Sequence, residues 1–186
     1  MDYTILPVQA FPVYRSCPGC GVKRRFVSTG KFRINANGSR LDVWLIYQCE
    51  NCRHTWNLTV YERVRRLEEE EYRKFAENDP GLALQWGCRK ELFLKNHVQP
   101  AVEEAAYEIR KNREVTEEEQ IWLLRDPYGL RIRTERIVAG LLQISRSQVH
   151  KMRMKGEVTW EETAEGTKVV FQTPFNACDF EDFMIE

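Results

Sequence analysis

The chain has 186 residues, 42% of them apolar and 30% charged, and its 28 basic and 28 acidic side chains cancel. That length holds one ordinary domain or two small ones, and the apolar content supports a packed core and argues against a disordered chain. No apolar run approaches the roughly 20 residues of a membrane helix. The N-terminus lacks the basic start, apolar stretch and cleavage site of a signal peptide, so a cytoplasmic protein with no membrane partner is expected.

Residues 1–61 read as β. Residues 14–35 carry Arg15, Lys23, Arg24, Arg25, Lys31 and Arg33 and no acid, so one basic block stands here despite the neutral total. Residues 25–28 form a short strand. Residues 31–36 alternate and end at Asn37-Gly38, the strongest short hairpin signal. Residues 41–48 and 55–61 are further strands, rich in branched and aromatic side chains.

Two cysteine pairs flank this hairpin. Cys17-Pro18-Gly19-Cys20-Gly21 is a knuckle in which Gly19 and Gly21 permit a tight turn and Pro18 fixes one dihedral. Cys49-Glu50-Asn51-Cys52 follows the returning strand, which brings the pairs together. Either pair alone is compatible with a redox motif. Two pairs joined by a hairpin point to one structural zinc ion on Cys17, Cys20, Cys49 and Cys52, the arrangement of a zinc ribbon. A full quartet leaves no vacancy for His54, and a catalytic zinc needs an open position. A unit this small buries little apolar area, so the metal is expected to take the place of a core.

The texture changes at residue 62. Residues 62–78 read as a charged helix stopped at Asp79-Pro80-Gly81, and residues 82–96 as a second helix. The run Glu68–Glu71 is a solvated face, since nothing forces these acids to share a proton. Residues 105–110 and 121–125 fit strands or helix pieces equally. Asp126-Pro127-Tyr128-Gly129 is a turn.

Residues 129–156 hold Arg131, Arg133, Arg136, Arg146, Lys151, Arg153 and Lys155 against Glu135 alone. Ile137 and Leu141 mark the apolar face of a first helix. Ser145 and Gln148 form a capping box that opens a second, with Ile144 and Val149 at the staple positions. Arg146, His150 and Arg153 share one stripe of that helix, flanked by Lys151 and Lys155. Such a face suits nucleic-acid phosphates, although on composition a solvated basic face is an equal reading. A hairpin of 158–161 with 168–172 follows. Residues 176–186 mix acids with Phe180, Phe183, Met184 and Ile185. They read as a frayed terminus, or as a segment that folds over the basic stripe and competes with nucleic acid.

The segment RTERIVAGLLQISRSQVHKMRMKGEV resembles the alpha-L RNA-binding domain found in a small-subunit ribosomal protein, tRNA synthetases and pseudouridine synthases. The resemblance implies RNA contacts from Arg133, Arg136, Arg146, Lys151, Arg153 and Lys155. Gln143 stands where that family often has glycine. A DNA-binding helix-turn-helix also tolerates the pattern, with Arg146 and Gln148 as base readers. Over nearly its full length the chain resembles a bacterial domain-of-unknown-function family, number 1062. The residues that carry this are CPGC, SxGKFRINANGxxLDVWLIYxCxxCxxTWN over 28–57, PYGLRIR and ISRSQ; the family implies no activity.

Cys88 and Cys178 read as ordinary thiols, and the five tryptophans as core or half-buried surface. No phosphate-cradling glycine loop and no catalytic motif is present, so a non-enzyme is expected. The sequence therefore predicts an α+β chain: a zinc ribbon with an N-terminal strand at 1–61, a helical or mixed connector at 62–128, an alpha-L-like helix-turn-helix and hairpin module at 129–173, and an acidic tail at 174–186. The expected function is binding of structured RNA related to ribosome or tRNA. The alternatives are a protein-interaction adaptor built on the ribbon, or a DNA-binding regulator.

Overall fold

A computed structural model describes residues 1–112, 120–172 and 183–185 of the chain. It is a mixed α+β protein, mostly strands, with two sheets and five α-helices among the described residues. None of these helices is long and apolar enough to cross a membrane. The chain divides into two compact units, Val8–Ala105 and Met1–Pro7 with Ala106–Glu186. This division does not coincide with the boundaries expected at residues 61 and 128.

In the Val8–Ala105 unit, β2 (Val13–Ser16), β3 (Lys23–Asn37), β4 (Arg40–Cys49) and β5 (Thr55–Val64) form an antiparallel sheet in that order. A hairpin joins β3 to β4 as expected, but its two turn residues are Gly38 and Ser39: Asn37 still pairs with Arg40 in the ladder, and Gly38 takes φ 61°. The two strands predicted at 25–28 and 31–36 are one strand. A register shift between Ser28 and Phe32 interrupts its ladder, and the freed amide of Phe32 donates to the side chain of Asn78 at 2.6 Å.

Three helices pack on this sheet: α1 (Glu69–Ala76), α2 (Pro80–Gly87) and α3 (Lys90–Lys95). The helix predicted from residue 62 starts later, because residues 62–64 continue β5. Asp79-Pro80-Gly81 ends α1 but also opens α2: Asp79 caps the amide of Leu82 at 2.6 Å, and Pro80 occupies a first-turn position where its missing N–H costs nothing. The single helix predicted over 82–96 is broken at Cys88–Arg89 into α2 and α3.

These helices change the expected role of the metal. Phe75, Trp86, Leu92 and Phe93 are buried with Phe11, Phe26, Val43, Leu45, Tyr47 and Leu58, and Phe32 meets Phe75 edge-to-face at 4.7 Å. The unit has an apolar core of its own, so a metal does not stand in for one. Residues 69–95, within the 62–128 segment expected as a connector, supply the three helices that cover the sheet. The outer edge of β5 is closed by a side chain: Asn96 accepts from the Thr59 amide at 2.9 Å and donates to the Thr59 carbonyl at 3.0 Å. That blunts an edge otherwise open to strand pairing.

The other unit holds a six-stranded sheet in the order β10-β6-β1-β7-β9-β8. Its strands are β1 (Asp2–Pro7), β6 (Tyr107–Lys111), β7 (Ile121–Arg125), β8 (Val158–Thr163), β9 (Gly166–Phe171) and β10 (Phe183–Ile185). Both ambiguous segments, near 105–110 and 121–125, are strands. β1 lies between them, antiparallel to β6 and parallel to β7. Tyr3, Ile5, Trp122, Leu124, Val169 and Phe171 are buried, and Trp122 packs on Phe171 at 4.6 Å and on Tyr3 at 5.4 Å. Helices α4 (Thr134–Leu141) and α5 (Arg146–Met154) bury Ile137, Val138, Leu141 and Val149. Of the acidic tail only β10 is described, paired with β6; Cys178 and the rest of 174–186 lie outside the described residues.

Candidate metal centre and basic helix face

Cys17, Cys20, Cys49 and Cys52 converge, with all four Sγ atoms within 4.8 Å of one another. Cys17 and Cys52 are 3.4 Å apart, and Cys20 and Cys49 3.8 Å. A tetrahedral ZnS₄ site with bonds of about 2.3 Å has edges of about 3.8 Å, so the four thiols fit a divalent ion with little movement. Cys17 and Cys49 are buried and Cys52 is exposed.

The two knuckles repeat one hydrogen-bond scheme. The amide of Gly21 donates to the Cys17 carbonyl at 2.8 Å, and that of Arg53 to the Cys49 carbonyl at 2.9 Å. The Cys17 amide donates to Val22 at 3.0 Å, and the Cys49 amide to His54 at 2.9 Å. Both turns need a left-handed residue after the second cysteine. Gly21 takes φ 71° freely, but Arg53 takes φ 62° with a side chain attached. Replacing Arg53 by Gly is expected to raise the stability of the metal-loaded protein by about 1 kcal/mol or less, read from thermal melts.

Gly19 is required for space: a Cβ there would lie 3.0 Å from the Cys52 sulfur. Gly19→Ala is therefore expected to push Cys52 out of position and weaken metal binding about tenfold, a size typical of disturbed ligand support. Competition with a chromophoric chelator reads it directly.

Donors surround the sulfurs. The Asn51 side chain reaches Cys20 at 3.3 Å, and chiefly through this bond the Cys20 thiol is pulled down to about 7. The Cys52 amide holds Cys49 below the ordinary thiol range. The His54 amide favours the Cys52 thiolate, yet proton sharing with the neighbouring thiols and burial push Cys52 up to about 12. Four thiols this close keep a proton between them until a cation displaces it. Asn51 and Arg53 were not singled out on the sequence; the equal spacing of Arg53 and Gly21 from their knuckles was the available signal. His54 contributes through its backbone.

Arg15 lies near this cluster. It stands two residues before Cys17 on the same side of the extended chain, with its guanidinium 4.3 Å from the Trp56 ring and 5.7 Å from that of Phe26. Its Nη1 is buried with no hydrogen-bond partner among the described residues. Burial lowers its pKa, and the Cys17 thiolate acts in the opposite direction.

On the other unit, α5 opens with the expected capping box. The Gln148 amide donates to the Ser145 hydroxyl at 3.2 Å, and the Ser145 amide to the Gln148 side chain at 2.8 Å. Gln143, between the helices, takes φ 52°, the left-handed conformation that glycine adopts without strain.

Of the seven basic residues expected at a nucleic-acid site, Arg133, Arg136, Arg146, His150 and Lys151 line one depression of about 480 Å³, with Ser147 and Glu135. Among the described residues no carboxylate pairs with Arg133, Arg136, Arg146 or Lys151. The other two do not line it. Arg153 bonds Glu135 at 3.1 Å and lies 4.3 Å over the Trp160 ring, and Lys155 pairs with Glu157 at 3.6 Å. The stripe drawn through Arg146, His150 and Arg153 is thus split, because Arg153 has nearer partners.

No curated protein and no solved structure matches the chain. A family model described as protein of unknown function (DUF1062) matches residues 34–164, which take in Cys49, Cys52 and every basic residue of the helix face, and the chain belongs to that family.

Proposed function

We propose that this protein is a non-catalytic binder of structured RNA, with zinc in a ribbon-like site of the Val8–Ala105 unit. The observation that carries the reading is the gathering of Arg133, Arg136, Arg146, His150 and Lys151 around one depression whose cations have no paired carboxylate among the described residues. Glu135, the one acid lining the depression, is paired with Arg153 and not with these cations. Phosphate oxygens would meet them with release of counterions, an entropic gain that salt removes. The capping box, the left-handed Gln143 and the hairpin after Gly156 support the alpha-L-like reading of this module.

A DNA-reading helix is less well supported, because the Gln148 side chain is held in the capping box. The test is retention of the purified protein on a panel of RNA hairpins across a salt gradient, with duplex DNA of equal length alongside. Salt-sensitive retention on RNA above DNA supports the proposal. Salt-independent retention, or none, overturns it. Cross-linking in cells followed by identification of RNA and protein partners separates this from an adaptor.

Zinc, rather than a harder ion, follows from four thiolates in near-tetrahedral array. Such a site carries two net negative charges, and Arg15 would supply compensating charge from beneath. Arg15→Met keeps the packing on Trp56 and removes the cation. Zinc affinity is expected to fall about tenfold or more in chelator competition, while the metal-free protein melts no lower, since a half-buried guanidinium whose Nη1 has no partner among the described residues has been removed.

A further inference from the structure

Beside the basic depression lies a second cavity, of about 520 Å³, within the size range of small-ligand pockets, about 300–1,000 Å³. Arg133 lines both. The second cavity differs in chemistry. Ile5, Leu124 and Ile137 give it apolar walls, and Asp126 and Glu162 bring carboxylates to it. Arg131 and Arg133 line it too, so these acids leave the cavity with no surplus of cations to draw a phosphate backbone inside. A flat, neutral, partly apolar group bearing hydrogen-bond donors suits it better.

The carboxylates are held in place. Asp126 accepts the amides of Leu130 and Arg131 at 2.9 and 2.8 Å. Glu162 receives the Thr167 hydroxyl on both oxygens, at 3.0 and 3.1 Å, which leaves each oxygen able to accept again. Gly166 lets the β8–β9 hairpin approach β7 so closely that a Cβ there would lie 2.3 Å from the Leu124 carbonyl. The hairpin that presents Glu162 is therefore packed against the cavity wall.

We propose that this cavity receives an unpaired guanine from the RNA whose phosphates lie on Arg133, Arg136, Arg146 and Lys151. The inference rests on the RNA-binding reading and narrows its ligand to a stem interrupted by a bulged or looped-out nucleotide. Guanine is selected by the acceptor-only edge of Glu162. Its N1–H and N2–H₂ donate side by side to two carboxylate oxygens. Adenine and cytosine place an acceptor beside their donor, and uracil flanks its single donor with two carbonyls. Unstacked bases are read in this way on their Watson–Crick edges, with an arginine plane such as Arg131 available for stacking.

The test is fluorescence anisotropy with three RNA hairpins: one fully paired, one with a single bulged guanine and one with a bulged adenine. The guanine bulge is expected to bind about tenfold tighter than the paired hairpin and tighter than the adenine bulge. Glu162→Gln should erase most of that preference, with the paired hairpin bound at least as tightly as by the wild type. Equal affinity for all three hairpins, or a guanine preference that survives Glu162→Gln, overturns this inference while leaving the RNA reading intact. Failure of every hairpin to bind overturns both.

Discussion

Cys49→Ser is expected to abolish stoichiometric zinc binding and to lower the melting temperature by roughly 10 °C or more, the scale of a lost metal site in a chain of this size. Cys49 is the buried cysteine at the end of β4, and its carbonyl and amide hold the second knuckle closed through Arg53 and His54. A serine hydroxyl is a hard, weakly acidic ligand and does not replace a thiolate on zinc. The three remaining thiols then lack the charge balance of a full quartet. The expected outcome is local: the knuckles and the adjoining end of β2 open, while the sheet beneath α1–α3 keeps its own core of Phe11, Phe75, Phe93 and Tyr47. Two readouts separate these levels. Near-ultraviolet circular dichroism from the buried aromatics should persist at low temperature, and amide exchange should rise in the two knuckles. Chelation of the wild-type protein should reproduce both effects. An unchanged melting temperature after verified zinc loss would show that the metal contributes nothing to the fold.

Arg146→Glu is expected to weaken RNA binding about tenfold or more at low salt and to reduce the salt slope by at least about 1. The reversal removes one cation from the depression and places a carboxylate against Arg133 and Arg136. The wild-type dependence sets the scale. If Arg133, Arg136, Arg146 and Lys151 all meet phosphates, log affinity falls with log salt at a slope near −3. Between about 50 and 200 mM that is a loss of about sixtyfold. Arg153→Glu serves as the comparison, because Arg153 is engaged with Glu135 and Trp160; a smaller effect on the slope is expected there. Equal slopes for the wild type and Arg146→Glu would place the RNA elsewhere.

The parts of the molecule that could be read from sequence are those written in local residues. Gly38 marks its hairpin because the first turn position there is left-handed, which glycine adopts freely. The cysteine spacing fixes a quartet because a hairpin between two knuckles leaves few other arrangements. Ser145 and Gln148 announce a helix start through bonds three residues apart. Long-range features were not legible in the same way. Nothing in residues 2–7 says that they run between strands more than 100 residues away, since strand partners are chosen by sheet edges and not by the strand's own pattern. Pro80 was read as a stop, because the same residue that ends one helix is favoured at the start of the next. Helical periodicity correctly placed Arg146 and His150 on one face, but it carries no information on what α4 and the β8–β9 hairpin bring opposite. Glu135 and Trp160 therefore draw Arg153 away, and Arg133 and Arg136 complete the depression from the neighbouring helix.

The central claim is that the four cysteine sulfurs hold a single zinc ion. Elemental analysis of protein expressed and purified without added metal, combined with X-ray absorption at the zinc edge, tests it most directly. The expected result is one zinc per chain with four sulfur neighbours at about 2.3 Å. Protein that is folded and free of zinc, or a zinc ion surrounded by nitrogen and oxygen, would contradict it.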